Sequence, residues 1–337
     1  MASRIPLRNT ILFAKVQAVE GTAATIATTN AILATATTPE DSRTVDTLQF
    51  TGSVNDRFAL STVTDIFGKV TLETVFPAVG TLNPTLPVVD APMYPLLTAC
   101  GFTTTVNGSG HIIYDNDPSS VLFTTINIRK ESDDFAPATQ KQGLLIDCKG
   151  TLDVTASIGT RVKMTYNYNA DPTIYSMESA IIPDYGSQLQ KLAPQFSENA
   201  IGANGITVEE ITDLATYTLS GVPLSLCISE FSAPNISGFQ LDRFRLSCGS
   251  GFSKTAIANE ITLTILEDAV GVGIFNPETS VQKYFKLVIS WGLGTGTNVN
   301  ITFRVTQLSN SVKAEVGTFF GKTLTFNNLD KTTITLT

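Results

Sequence analysis

From Leu144 to Tyr168 the chain alternates. Apolar residues hold the even positions (Leu144, Ile146, Cys148, Leu152, Val154, Ala156, Ile158, Val162, Met164, Tyr166 and Tyr168), and polar residues hold most of the odd ones. A period of two is that of a half-buried strand, whose successive side chains point to opposite faces. Gly159 supplies a turn near the middle. A two-residue loop there would set the apolar face of one strand against the polar face of the other. A three-residue loop, Gly159 to Arg161, pairs Ile158 with Val162, Ala156 with Met164, Val154 with Tyr166 and Leu152 with Tyr168. One buried face demands that loop or another odd-numbered one, so the stretch predicts a long antiparallel hairpin. Its wet face carries Thr151, Asp153, Thr155, Ser157, Lys163, Thr165 and Asn167.

Alternation recurs at 66–76 (Ile66, Val70, Leu72, Phe76), at 258–266 (Ile261, Leu263, Ile265 against Thr262, Thr264) and at 299–307 (Val299, Ile301, Phe303, Val305). Residues 121–129, 240–248 and 321–328 also read as strands. Helices are few. Residues 277–291 present Val281, Tyr284, Phe285, Val288 and Ile289 at helical spacing, after Asn276 as a cap and Pro277 at the first position, with Gly292 as the stop. A shorter helix is expected within 89–102, capped by Asp90, limited by Pro95 and stopped by Gly101. Residues 21–49, rich in Thr and Ala without a period, and 170–205, with Pro172, Pro183 and Pro194, read as loop and connector. Thr207 with Glu210 matches a capping box for a short helix around 208–215, although the segment after it reads as extended.

A strand block, one helix and then further strands occurs on both sides of the connector. The expected fold is mainly β: a β-sandwich or partial-barrel unit with a flanking helix, occurring twice. The corresponding division is a first β domain with an N-terminal arm at 1–172, a connector or insertion at 173–235, and a second β domain with the 277–291 helix at 236–337.

Composition narrows the function. The chain is 42% hydrophobic and carries a net charge of −8, so it can bury a core, and it has no Lys/Arg cluster of the kind that neutralises phosphates. Arg4 and Arg8 precede an apolar run that Lys15 interrupts, which does not make a signal peptide, and no stretch approaches the length of a membrane helix. The chain reads as unsecreted and not membrane-bound. Cys100, Cys148, Cys227 and Cys248 lack metal or disulfide spacing, and Cys148 falls on the apolar face as a buried thiol. The one histidine, His111, lies in a Gly/Ser-rich loop, so metal and triad chemistry lack their usual residue. GTFFGKT at 317–323 has three residues between its glycines where a phosphate loop needs four, and Gly321-Lys322 reads instead as a turn between strands. No catalytic, cofactor-binding or metal-ligating residue is assigned, and no cofactor is expected; the reading is non-enzymatic.

Three stretches carry a family resemblance. ILFAKVQAVEGTAA (11–24) holds Leu12, Ala14, Lys15, Gly21, Thr22 and Ala24, with Glu20 where an aromatic is common; MYPLLTACGF (93–102) is the second; the 144–168 hairpin with its closing YNYNADP is the third. Together they resemble the major tail (tail tube) proteins of long-tailed bacteriophages with non-contractile tails. The resemblance covers roughly the first half of the chain. It implies a structural virion protein, assembled in the host cytoplasm into stacked rings with a pseudo-sixfold lumen through which DNA passes without specific binding. Its partners would be itself, as a homotrimer if the unit is duplicated or a homohexamer if not, and other tail proteins. The wet face of the hairpin, Thr151 to Asn167, is then expected to line the lumen or an interface, and residues 21–49 to form a contact arm. The alternatives are a host-recognition or decoration β-sandwich, and the inner tube of a contractile injection machine.

Overall fold

Alternating polarity decides most of the local structure, because each strand can bury only one of its faces. The computed structural model describes residues 10–36, 40–51, 57–74, 93–109, 111–117, 122–130, 139–157, 162–184, 205–224, 226–246, 249–256, 259–266, 282–291 and 299–336. Strands β1 (Thr10–Val16), β2 (Ala31–Ile32), β3 (Thr35–Ala36), β4 (Glu40–Thr51) and β5 (Arg57–Thr74) precede helix α1 (Tyr94–Ala99). There follow β6 (Phe102–Val106), β7 (Ile112–Asn116), β8 (Thr124–Lys130), β9 (Thr139–Ser157), β10 (Lys163–Ala170) and β11 (Ile174–Ser179). The remainder comprises β12 (Ile206–Asp213), β13 (Thr218–Leu219), β14 (Ile228–Ala233), β15 (Phe239–Leu246), β16 (Gly249–Ala256), β17 (Glu260–Leu266), β18 (Tyr284–Trp291), β19 (Val299–Val316), β20 (Phe319–Asn328) and β21 (Thr332–Leu336). The chain is mainly β. Among the described residues, 19 strands form one open antiparallel sheet, and β15 with β16 forms a separate hairpin.

Two long strands change neighbours along their length. β9 pairs first with β8 and β11, then with β10 and β14. β19 pairs first with β18 and β21, then with β20. The core fills the space that these ladders share. Phe285 of β18 meets Phe326 of β20 edge-to-face at 5.7 Å, and Leu263, Leu324, Ile301 and Ile334 are fully buried in the same cluster. At the other end Tyr166 and Tyr168 stack at 6.1 Å, and the Tyr168 hydroxyl donates to the Leu96 carbonyl of α1 at 2.9 Å. The helix stops at Gly101, whose φ of +81° suits glycine and whose missing Cβ leaves room for the Phe239 ring, 2.5 Å from where that carbon would lie.

Several expectations are corrected. Within the expected 277–291 helix, residues 284–291 form β18 with Phe285, Leu287, Ile289 and Trp291 buried in alternation. Short apolar runs satisfy both periods, and pairing on both sides, to β12 and β19, decides for the strand. Asn276, Pro277, Glu278, Val281 and Gly292 lie outside the described residues, as do Phe76, Asp90 and Cys248. The 208–215 capping box is overridden in the same way: Ile206–Asp213 is strand β12 on β18. The 21–49 loop contains β2, β3 and most of β4, and the 170–205 connector contains β11. The turn read at Gly321-Lys322 sits at Gly317-Thr318, between Val316 and Phe319, where Gly317 has φ +61°.

The hairpin keeps the required parity but in a register shifted by two residues from the one the three-residue loop gave: Val154 faces Met164, and Leu152 faces Tyr166; Ile158, Gly159 and Arg161 lie outside the described residues. Its even-position face also breaks. Leu145 is fully buried while Leu144 and Ile146 are half-exposed, because β9 carries a bulge at Asp147, held at φ 56°. The Asp147 carboxylate accepts from Gln17 Nε2 at 2.6 Å and from the Gly21 N–H at 2.9 Å, and Gln17 Oε1 accepts the Asp147 N–H at 2.8 Å. The bulge thereby fastens the segment after β1 onto β9.

Candidate functional site: a continuous polar sheet face

The seven wet-face residues come together. Thr151 lies opposite Asn167, Asp153 opposite Thr165 and Thr155 opposite Lys163, and Ser157 ends the same face. Thr155 and Lys163 are exposed and the other five half-buried, while the intervening Leu152, Val154, Met164 and Tyr166 are fully buried.

The face does not stop at the hairpin. On one flank β5 adds Thr71 beside Asn167 and Glu73 beside Thr165. On the other, β14 sets Ser232 beside Thr155 and Glu230 beside Ser157. β17 continues these rows with Thr262 and Thr264, and β20 with Thr325 and Thr323. Hydroxyls and amides therefore run row by row across β5, β10, β9, β14, β17 and β20.

Local bonds fix the rows. Asn167 receives the Thr71 hydroxyl at 3.1 Å and donates to Asp153 at 2.9 Å. The other Asp153 oxygen accepts the Asn235 N–H at 2.7 Å. Thr264 and Thr323 share a hydrogen bond at 3.3 Å. Lys163 pairs with Glu73 at 3.3 Å, both about half exposed, so the pair contributes little to stability. In these rows three carboxylates (Glu73, Asp153, Glu230) stand against one ammonium (Lys163). The relief is shallow: a depression of about 400 Å³ lies between Thr155, Ser157, Lys163, Glu230 and Thr264. Another of about 340 Å³ lies over Thr151 and Asn167.

Compared with known protein families and with curated proteins, the chain matches none. Among the described residues no group of three or more His, Cys, Asp or Glu could hold a metal ion, and no helix is long and apolar enough to cross a membrane. His111 sits in the β6–β7 turn, where Asn107 Oδ1 accepts its N–H at 3.0 Å. Cys100 and Cys148 are buried thiols outside any disulfide and Cys227 is exposed; burial pushes the Cys148 thiol well up, keeping it protonated and inert.

Sequence reasoning missed Thr71, Glu73, Glu230, Ser232, Thr323 and Thr325 as members of the face. Thr262 and Thr264 showed the right alternation, yet which strands neighbour the hairpin is a tertiary fact that alternation does not encode. Glu230 and Ser232 were further hidden inside the assigned connector.

Proposed function

We propose that the chain is the building block of a hollow tube, made of stacked rings of three copies whose lumen is lined by the polar face and conducts DNA, as in a non-contractile phage tail. The observation that carries this reading is the order of the ladders. From one edge, the sheet that carries the polar face runs β4-β5-β10-β9 and then β14-β17-β20-β19. Each set of four takes two strands in chain order and then a hairpin in reverse. The ladders behind them run β2-β1-β8-β9-β11 and β13-β12-β18-β19-β21. Even a bulge recurs: β8–β9 slips between Thr124 and Ile126, and β18–β19 slips at the equivalent step between Phe285 and Leu287. This supports two β-sandwich units, one ending at Ser179 and the other beginning at Ile206, ahead of the boundary at 236 that the sequence suggested.

Within the chain the two units join edge to edge, Phe231 of β14 beside Ala156 of β9. The same joint, formed by the second half of β19 and the β3–β4 edge of the next copy, closes a ring. Closure removes the exposed edges that otherwise invite uncontrolled association. Three copies of an eight-strand face give a barrel of twenty-four strands. At about 4.8 Å per strand and a tilt of about 40°, its backbone diameter is roughly 48 Å, leaving an aqueous lumen roughly 35 Å across. Hydroxyls, amides and a slight excess of carboxylates keep that wall hydrated, and the cation of Lys163 is engaged by Glu73, so phosphates meet no Lys/Arg cluster.

Negative-stain electron microscopy of the concentrated protein, averaged end-on, tests this. Hollow rings with threefold modulation of six lobes are expected, with a lumen narrowed in the Thr155→Trp variant. A protein that stays monomeric at every concentration, or rings whose lumen Thr155→Trp leaves unchanged, would sink the reading.

A further inference from the structure

The two units differ at one edge. Anchored on the shared bulge, Leu145 corresponds to Phe303, so Met177 of β11, opposite Lys141, corresponds to Leu336 of β21, opposite Val299. β21 is paired on both sides, by β19 and by β7, with Leu336 opposite Ile112. Leu336 is accordingly 2% exposed. Among the described residues β11 is paired on one side, by β9. Ile174 is 48% exposed, Met177 60% and, just beyond the strand, Ile182 81%.

The β9 side of this strand is firmly held. Arg129 donates to the Ser179 carbonyl at 2.6 Å, Gln142 to the Ser176 hydroxyl at 2.8 Å, and Gln140 accepts the Ile181 N–H at 3.1 Å. A fixed, one-sided strand with large apolar side chains is a template for strand addition.

We infer that the outer edge of β11 is an interface completed by a second copy of this chain, which buries Met177 as β7 buries Leu336. The cover over β21 is the argument for that occupant. β7 belongs to the first unit and β21 to the second, so the cover crosses a joint between units. The joint on the far side of β11 lies between copies in the proposed ring, so the equivalent cover must come from a neighbour. The inference rests on the ring reading and adds a second, outer contact to it.

The test places a reporter at Met177→Cys in a Cys227→Ser/Cys248→Ser background and compares maleimide labelling of monomer and of isolated rings. Labelling is expected to slow by about tenfold or more on assembly. Met177→Asp is expected to leave the monomer's melting temperature unchanged and to abolish assembly. Rings that label as fast as monomer, or Met177→Asp rings that form normally, overturn this contact and leave the tube standing. Protection of Met177 only on adding another tail protein also overturns it. Absence of rings at any concentration overturns both readings.

Discussion

A proline at Lys313 separates the proposed joint from the fold that presents it. The β19–β20 hairpin closes with a two-residue turn, so Val316 and Phe319 exchange both of their backbone bonds, and bonded pairs alternate from there. Ala314, opposite Gly321, is bonded to β20; Lys313, opposite Lys322, therefore directs its N–H outward to the edge that is unpaired among the described residues. Lys313 is exposed. Lys313→Pro removes no bond within the monomer and should cost it about 1 kcal/mol or less. Across the joint it deletes one donor and leaves the neighbour's carbonyl unsatisfied, a loss of about 2 kcal/mol, or about thirtyfold in affinity at each contact. A closed ring repeats that loss at all three joints. Sedimentation velocity across a concentration series, with Lys313→Ala as control, should show assembly shifted far upward for the proline variant alone, at nearly unchanged melting temperature. Assembly at the wild-type concentration would refute the edge-to-edge joint.

Other consequences follow from the same packing. Phe285→Ala, at a fully buried site against Phe326, should lower unfolding free energy by about 4 kcal/mol in urea titrations; a loss below about 1 kcal/mol would mean that the two ladders are not packed together there. Asp147→Ala should cost roughly 3 kcal/mol, since it strands Gln17 and the Gly21 N–H and puts alanine at positive φ. Hydrogen exchange at Gly21 should quicken more than exchange in β9, and unchanged exchange at Gly21 would dismiss the latch. Burial raises the phenols of Tyr114, Tyr166 and Tyr168 well above the ordinary 10.0. The unfolded chain ionises at that value and the folded chain does not. Stability is therefore whole below it and falls as pH rises past it, by about 1.4 kcal/mol per pH unit for each phenol. Phenolate absorbance from these three should appear only with loss of the near-ultraviolet dichroism.

The hairpin and its wet face were legible because alternation over so many residues admits one structure, and parity alone fixes which side is dry. The failures have a common cause. Tyr284 to Trp291 and Ile206 to Asp213 carried helix signals whose worth is about 1 kcal/mol each, against two flanking ladders apiece. The parity slip at Leu144 and Ile146 was invisible for a different reason. A bulge is stabilised by what grips it, here Gln17 and Gly21 from the far end of the chain, and such a partner leaves no local trace. Glu40–Thr51 escaped notice because its apolar residues, Val45, Leu48 and Phe50, do not keep one parity, the register with β5 shifting between Thr44 and Val45.

One departure from the proposed repeat bears on why the proposed ring should be threefold rather than sixfold. The β15–β16 hairpin stands between β14 and β17 in the second unit, whereas residues 52–56 alone separate β4 from β5 in the first. Phe239, at the root of the β15–β16 hairpin, seats against Gly101 of the first unit, so the inserted element braces the joint inside the chain. A joint between copies has no such covalent tether, and it must be held by edge pairing and by the contact at β11. The two kinds of joint then carry different loads on different residues. Selection on a joint within one chain and on a joint between chains would draw the two units' surfaces apart while the buried alternation stayed the same. The proposed duplication would then keep what the ladders share, a like order of strands and a register slip at Thr124/Ile126 and at Phe285/Leu287, while the surfaces of the two units diverged.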